Sequence, residues 1–328
     1  MPRSLSDNAD PPISLIRLVD SCCHNRHVSL SLEGSTLLIS APAETASVLD
    51  EDSLIMVTND DGVTSPGIIA LADAASALGS VMIIGPEGEQ SAAGMSLTFN
   101  RPLRVTKVRV GKRVCYAVSG SPADSTMIGI HSILPRRPDA VVSGINKGEN
   151  LTIQDIFASG TVAAALSAAL MGIPAIAFSM EIPQNRTIVH GRKDPNFTIP
   201  ARIAAEILRE VLEHGLPRGA DMLNVNFPWK TNWDTRVKIT SLEARKWRDS
   251  VLEREDPRGR PYYWLWGSRM PTFRRDSDAF AVHKLRAISI SPLSLDFTPK
   301  SSVEFKKFEM KITSRLNKIT EDSTNTHK

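Results

Sequence analysis

Five short apolar runs set the terms on which this chain can fold. They lie at residues 54–58, 81–84, 140–143, 175–179 and 222–226, and none keeps a strict polar–apolar alternation. Between them the spacing turns helical. Ile68, Leu71, Ala75 and Leu78 share one face after the first run, residues 160–171 are Ala-rich, and residues 199–214 carry another helical pattern. Strands that are apolar on both faces and joined by helices favour a mostly parallel sheet covered on both sides. The expected class is therefore α/β. Ligands in such sheets sit beyond the carboxyl ends of the strands. The polar loops after residues 58, 84 and 143 should then converge on one rim.

The rest of the chain is patterned differently. Pro66 suits the first turn of a helix expected to run to about Leu78, with Gly79 ending it. Residues 97–118 read as a β excursion and residues 122–134 as a helix. Residues 1–52 show no long periodic pattern, though 35–40 can pair as a strand, and they read as a loosely ordered extension. Residues 53–228 form the expected core and 229–328 an accessory region. All five tryptophans fall between Trp229 and Trp266. Residues 236–248 and 261–266 are strand-like there, around Glu255-Asp256-Pro257-Arg258-Gly259. They fit either a protruding hairpin arm that packs on a second subunit or an accessory sheet on its own core. Residues 287–291 suggest a late strand closed by Pro292. Phe305, Phe308, Ile312, Leu316 and Ile319 recur at three and four, which predicts an amphipathic C-terminal helix fraying after about Thr320.

Composition narrows the function classes. Lys plus Arg number 39 against 36 for Asp plus Glu, a net charge of +3. So small an excess gives no electrostatic basis for holding long nucleic acid. The cysteines, Cys22, Cys23 and Cys115, match neither a disulfide framework nor a zinc cluster. No apolar stretch approaches the roughly 20 residues of a membrane span. The N-terminus lacks a basic region leading into an apolar one, so the expected location is cytoplasmic with no membrane partner.

The sharpest chemical feature is Asn59-Asp60-Asp61-Gly62, directly after the first apolar run. Adjacent carboxylates at a strand end repel, and a hard divalent cation relieves that repulsion. A solvated turn before Gly62 is the bland alternative. Ser91 stands in a small-residue loop after the second run and offers a neutral oxygen. Asn146 offers an amide oxygen in Ser143-Gly144-Ile145-Asn146-Lys147-Gly148-Glu149-Asn150, where Lys147 can offset phosphate charge and glycines 144 and 148 permit tight turns. Ser159-Gly160-Thr161 precedes an expected helix, so its amides and hydroxyls can cradle an anion. An ordinary N-cap explains the same residues, and both can hold at once. There is no Walker-type loop and no Gly-x-Ser-x-Gly elbow. Ser121 has no evident base, His131 reads as structural, and nothing in the sequence brings His283 to a site.

The segment from Val57 through Pro66-Gly67 resembles the opening motif of the SurE family of metal-dependent survival-protein nucleotidases. Ser143-Gly144-Ile145-Asn146-x-Gly-x-Asn150, Ser159-Gly160-Thr161-Val162-Ala163-Ala164, Asp256-Pro257-Arg258-Gly259 and Ser289-Ile290-Ser291-Pro292-Leu293 with Asp296 are similar to its other signatures, in family order over residues 53–300. The resemblance implies a Rossmann-like core and a phosphatase acting on nucleoside 5′- and 3′-monophosphates, some relatives also trimming short polyphosphate. It further implies one divalent ion per subunit, Mg2+ or Mn2+, on Asp60, Asp61, Ser91 and Asn146, with Asn59 and residues 159–161 beside the phosphate. Dimers or tetramers through hairpins and C-terminal segments are implied as well. Two departures stand out. Residues 1–52 have no counterpart, and Lys147 occupies a position where a small residue is common. The expected chemistry is metal-assisted phosphomonoester hydrolysis without a covalent intermediate. The alternatives are a broad phosphomonoesterase or exopolyphosphatase with a non-nucleotide substrate, and a non-catalytic nucleotide sensor.

Overall fold

The structure, a computed structural model, describes residues 30–33, 36–39, 53–183, 195–299 and 302–325. The chain divides into two units, residues 1–48 and 49–328. In the first, β1 (Leu30–Glu33) and β2 (Thr36–Ile39) pair antiparallel, which accounts for the strand expected at 35–40. The looseness expected of residues 1–52 otherwise falls outside the described residues.

The second unit runs β3 (Leu54–Thr58), α1 (Pro66–Ala75), β4 (Ser80–Pro86), β5 (Val105–Val110), β6 (Arg113–Val118), α2 (Pro122–Ile128), β7 (Ala140–Lys147), α3 (Thr152–Ala158) and α4 (Gly160–Leu170). It continues with β8 (Ala175–Met180), α5 (Thr198–His214), β9 (Met222–Phe227), β10 (Val237–Ile239), β11 (Trp247–Glu255), β12 (Pro261–Arg269), α6 (Asp278–His283), β13 (Ile288–Leu293) and α7 (Val303–Asn325). Nine strands form one sheet in the order β10-β13-β9-β8-β7-β3-β4-β6-β5. Neighbours pair parallel except β13 with β9 and β6 with β5. The expected mostly parallel sheet flanked by helices is what forms.

Side-chain alternation explains the two covered faces. Ile55 and Val57 of β3 pack with Ile68 and Leu71 of α1 and with Leu208 of α5. Leu54 and Met56 point the other way, onto Val162, Ala165 and Ala168 of α4. Burying each such large aliphatic side chain contributes roughly 1.5–3 kcal/mol. The alanines of α4 let its backbone approach the sheet closely, which brings its first turn to the carboxyl ends of the strands.

Several boundaries differ from the sequence reading. Helix α1 stops at Ala75, because the Ser76 hydroxyl bonds back to the Ala72 carbonyl at 2.6 Å and the chain turns through residues 76–79. Helix α2 gives way at Gly129 to a π-helical turn, Gly129–Ile133. Strand β7 does not end at residue 143. It continues to Lys147, with a register shift against β8 between Ser143 and Asn146. Gly144, expected in a turn, lies in that strand at φ 129°, where a Cβ would fall 2.2 Å from the Phe178 carbonyl oxygen. Pro292 does not close β13. It pairs with Leu223 of β9, and β10 spans only residues 288–290 on the other side, so the missing N–H faces no partner strand. Helix α7 extends to Asn325, past the fraying point expected at about Thr320.

Strands β11 and β12 pair with each other from Trp247↔Arg269 to Glu255↔Pro261, as a sheet of two strands. At the tip, Asp256 Oδ1 accepts the backbone N–H groups of Arg258 and Arg260, at 2.8 and 3.0 Å. Tyr263, Trp264, Leu265 and Trp266 are exposed. Of the two readings left open, the paired strands match the hairpin rather than an accessory sheet with its own core. Among the described residues no single helix is long and apolar enough to cross a membrane.

Candidate active site

Central strand β3 delivers Asn59, Asp60 and Asp61 to the rim between β4 and β7. The turn is fixed from within. Asn59 Nδ2 donates to the Gly62 carbonyl at 2.9 Å and to Ser65 Oγ at 2.8 Å, tying the turn to the start of α1. Asp60 is buried, 6% exposed. Burial pushes its carboxyl up to about 6; the charge of Asp61 adds to this, and the hydrogen bond from Thr161 opposes it. Thr161 Oγ1 donates that bond to Asp60 Oδ1. Among the described residues no Lys or Arg pairs with Asp60. Asp61 is half-buried and accepts the Lys147 backbone N–H at 3.2 Å.

The other expected residues approach from three loops. The β4 loop is tied to the turn through the Gln90 N–H, which donates to the Asp60 carbonyl at 2.8 Å. Next to it Ser91 is exposed, its hydroxyl donating to Glu89 Oε1 at 2.6 Å. Asn146 sits at the end of β7 and donates from Nδ2 to the Gly148 carbonyl at 2.9 Å. Lys147 reaches Asp61 through its backbone, and that contact does not depend on its charge.

The third loop is the corner between α3 and α4. Ser159 caps α4, its hydroxyl accepting the Val162 N–H at 3.1 Å. The N-cap reading of this residue therefore holds. Gly160 faces Asp60 so closely that a Cβ would lie 2.7 Å from Asp60 Cβ and 3.0 Å from Oδ2. Thr161, expected to face an anion, turns its hydroxyl to Asp60 instead. The first turn of α4 and the carboxylate turn are thus in direct contact.

Residues without a site reading find structural work. Ser121 and Asp124 form a reciprocal cap on α2, and the Ser121 hydroxyl also donates to the Ser96 carbonyl at 2.6 Å. His131 is exposed. His283 has a buried side chain and stands 3.2 Å from Glu181, with Arg269 at 2.6 Å from its other ring nitrogen. Two supports escaped the sequence reading. Asn150 is pinned by Asn224, Asn226 and Ser179, all at 2.8–3.0 Å. Lys246 is buried against Glu149 and Asp155. The first had a visible trace in the Asn-x-Asn of residues 224–226. Lys246 had none, because its partners are about a hundred positions away.

A cation at this rim has to rest on two carboxylates and neutral oxygens, because among the described residues no three His, Cys, Asp or Glu side chains gather. Such a donor set suits a hard divalent ion. Beneath the turn, Thr58 Oγ1, Asn59 Oδ1 and Ser143 Oγ are buried without a hydrogen-bond partner among the described residues, which makes the floor of the rim polar. An acidic pair on a polar floor, with no basic side chain on Asp60, fits the implied ion.

Comparison with known proteins finds one family. The family described as "Survival protein SurE" matches residues 55–249. The 5'-nucleotidase SurE of Methanosarcina acetivorans is 43% identical over 258 residues, spanning 78% of this chain and 96% of its own. That of Methanocella arvoryzae is 41% identical over 256 residues, 77% of this chain and 96% of its own. The crystal structure of the SurE protein from Aquifex aeolicus superposes with a TM-score of 0.66 at 35% identity, covering 78% of this chain and 99% of that one.

Proposed function

The chain belongs to the survival protein SurE family, and on that premise we propose that it is a nucleotidase hydrolysing nucleoside 5′- and 3′-monophosphates to nucleoside and phosphate. The observation that carries the reading is the contact between the buried Asp60 and the first turn of α4 through Gly160 and Thr161. The start of the helix attracts a phosphate and the carboxylate pair repels it, so a phosphate fits beside both only with positive charge between it and the carboxylates. A divalent cation, Mg2+ or Mn2+, held by Asp60, Asp61, Ser91 and Asn146 would supply that charge and acidify a water. Thr161 holds the Asp60 carboxylate in place. The start of α4 holds the Asp60 carboxylate through the hydroxyl and the backbone N–H of Thr161, and the positive end of the helix favours negative charge on the phosphoryl oxygens. Asn59 acts by fixing the turn, and Lys147 by holding Asp61 through its backbone N–H.

Each subunit contact in this reading is made by the exposed hairpin β11–β12 and by α7, giving a homodimer or homotetramer. The test of the chemistry is phosphate release from nucleoside 5′- and 3′-monophosphates, sugar phosphates and tripolyphosphate, with and without each metal. Nucleoside monophosphates are expected to give the highest kcat/KM, and only with a divalent ion present. Asp60→Asn and Asp61→Asn should each abolish the metal-dependent turnover while leaving the circular dichroism spectrum unchanged. Full turnover in both variants would overturn the assignment.

A further inference from the structure

Among the described residues one lysine, Lys246, is buried, and it sits at the root of the hairpin arm. Lys246 immediately precedes β11, and its carbonyl accepts the Met270 N–H at 2.8 Å just past β12. Its side chain is 9% exposed. The ammonium lies 2.5 Å from Asp155 Oδ2, 3.3 Å from Glu149 Oε1 and 3.2 Å from the Glu149 carbonyl oxygen. A lysine buried this deeply persists only with its charge matched, and the two carboxylates come from two different segments. Glu149 follows Asn146 on the β7 loop, where Gly148 also donates to the Met180 carbonyl. Asp155 lies in α3, and its own carbonyl accepts the Ser159 N–H at 2.8 Å. From Ser159 the chain passes in two residues to Thr161 and its bond to Asp60.

We propose that Lys246 is a positioning residue for the phosphate site, its ammonium clamping the segments that carry Asn146 and residues 159–161 to the base of the arm. The proposal rests on the nucleotidase reading for its catalytic consequence but not for the clamp itself. The backbone supports the same docking. Ile153 N–H and Gln154 N–H donate to the carbonyls of Glu243 and Ala244, at 2.8 and 3.3 Å, and Gln154 Nε2 reaches Asp249 on β11 at 2.7 Å. Helix α3 is therefore held to the arm along its first turn, and Lys246 closes the join beside the site. A merely stabilising ion pair would lower the melting temperature and leave the reaction alone. Loss of a clamp would also misplace Asn146 and the Thr161–Asp60 pair.

The variants are Lys246→Met, which keeps the stem and removes the charge, Asp155→Asn, and the two combined. The full chain is measured for melting temperature, kcat and KM on the best nucleoside monophosphate, Mn2+ affinity by calorimetry, and amide hydrogen exchange over residues 149–161. Lys246→Met is expected to speed exchange over 149–161 and to weaken Mn2+ binding and kcat by roughly 10–100-fold, as loss of a ligand-supporting group does. KM should move far less than kcat. The double variant should lose no more than the worse single one, because both remove the same link. Should Lys246→Met fail to fold, Asp155→Asn and the double variant decide by the same readouts. Wild-type exchange, kcat and Mn2+ affinity in the folded variants that break the Lys246–Asp155 pair would overturn the proposal. A wild-type chain that releases no phosphate from any substrate would sink the nucleotidase reading alone, since exchange and Mn2+ affinity still decide on the clamp.

Discussion

Thr161 spends its hydroxyl on Asp60 and Gly160 spends its missing side chain on the same carboxylate, so two neighbouring positions of α4 have opposite sensitivities. Removing the Thr161 hydroxyl with Thr161→Val keeps the shape and deletes the bond. Metal affinity should drop by roughly 10–100-fold, as for other groups that orient a ligand, and Thr161→Ser should restore most of it. A Mn2+ titration of the three proteins checks this. At Gly160 helix propensity and packing disagree. Alanine is the better helix former by about 1 kcal/mol. Its Cβ, however, would meet Asp60 Cβ at 2.7 Å and Pro122 Cγ at 3.0 Å. Asp60 is buried and cannot swing into solvent, so packing should win. Gly160→Ala is expected to destabilise by about 1–3 kcal/mol, the usual range for overpacking, and to lower kcat. Urea unfolding with a parallel rate measurement would reveal a stabilised, fully active variant if that weighing is wrong.

At the level of elements, the half-buried Glu181, just past the carboxyl end of β8, has the opposite electrostatics to Asp60. Burial pushes Glu181 up, but His283, the Trp229 N–H and Arg286 more than offset it, leaving its pKa at about 2. Its folded value lies below the ordinary 4.5 of an unfolded glutamate. The stabilisation is therefore full above about pH 4.5 and is lost as the pH falls toward about 2. Discounting for the half-exposed Arg286, it is worth roughly 2 kcal/mol. Melting temperatures of wild type and Glu181→Gln should differ by a constant gap above pH 5, and the gap should close on acidification. A gap that widens toward low pH would contradict the assignment. Elements like β8 were legible because apolar runs on both faces leave few alternatives to a central parallel strand. The polar ends were not. Asn146 reads as a loop residue because Gly144 looks like a turn, whereas β7 uses that glycine to pass the Phe178 carbonyl and extend to Lys147. Helix α3 has only seven residues, too short for a helical period to show, and is held by the segment at 243–244. Asp60, Asp61 and residues 159–161 were found from local pattern, but the bond that joins them spans a hundred positions and leaves no local trace.

For the molecule as a whole, the arm raises a stability question that the second unit cannot answer alone. An isolated two-stranded hairpin is marginal in water. Strands β11 and β12 are nine residues each and pair only with each other among the described residues. Successive side chains alternate between faces, so Trp264 and Trp266 lie on one face with Leu252, and Leu265 lies on the other with Val251. All five are exposed. An apolar ribbon wet on both sides is sustained only by burial elsewhere, and a second copy of the chain can supply it. Stable association needs roughly 1,200–2,000 Å2 of buried surface, and two arms of this size packed against neighbouring bodies are on that scale. Light scattering at micromolar concentration should give a multiple of 35.9 kDa for the wild type. Trp264→Glu with Trp266→Glu places two charges on one face of the ribbon and should shift the mass toward the monomer. The clamp at Lys246 makes a further distinction possible. If the arm serves assembly alone, the monomeric variant keeps wild-type kcat. If the arm must be held by a neighbour for Lys246 to hold α3, kcat falls together with the mass, and exchange over residues 149–161 rises with it.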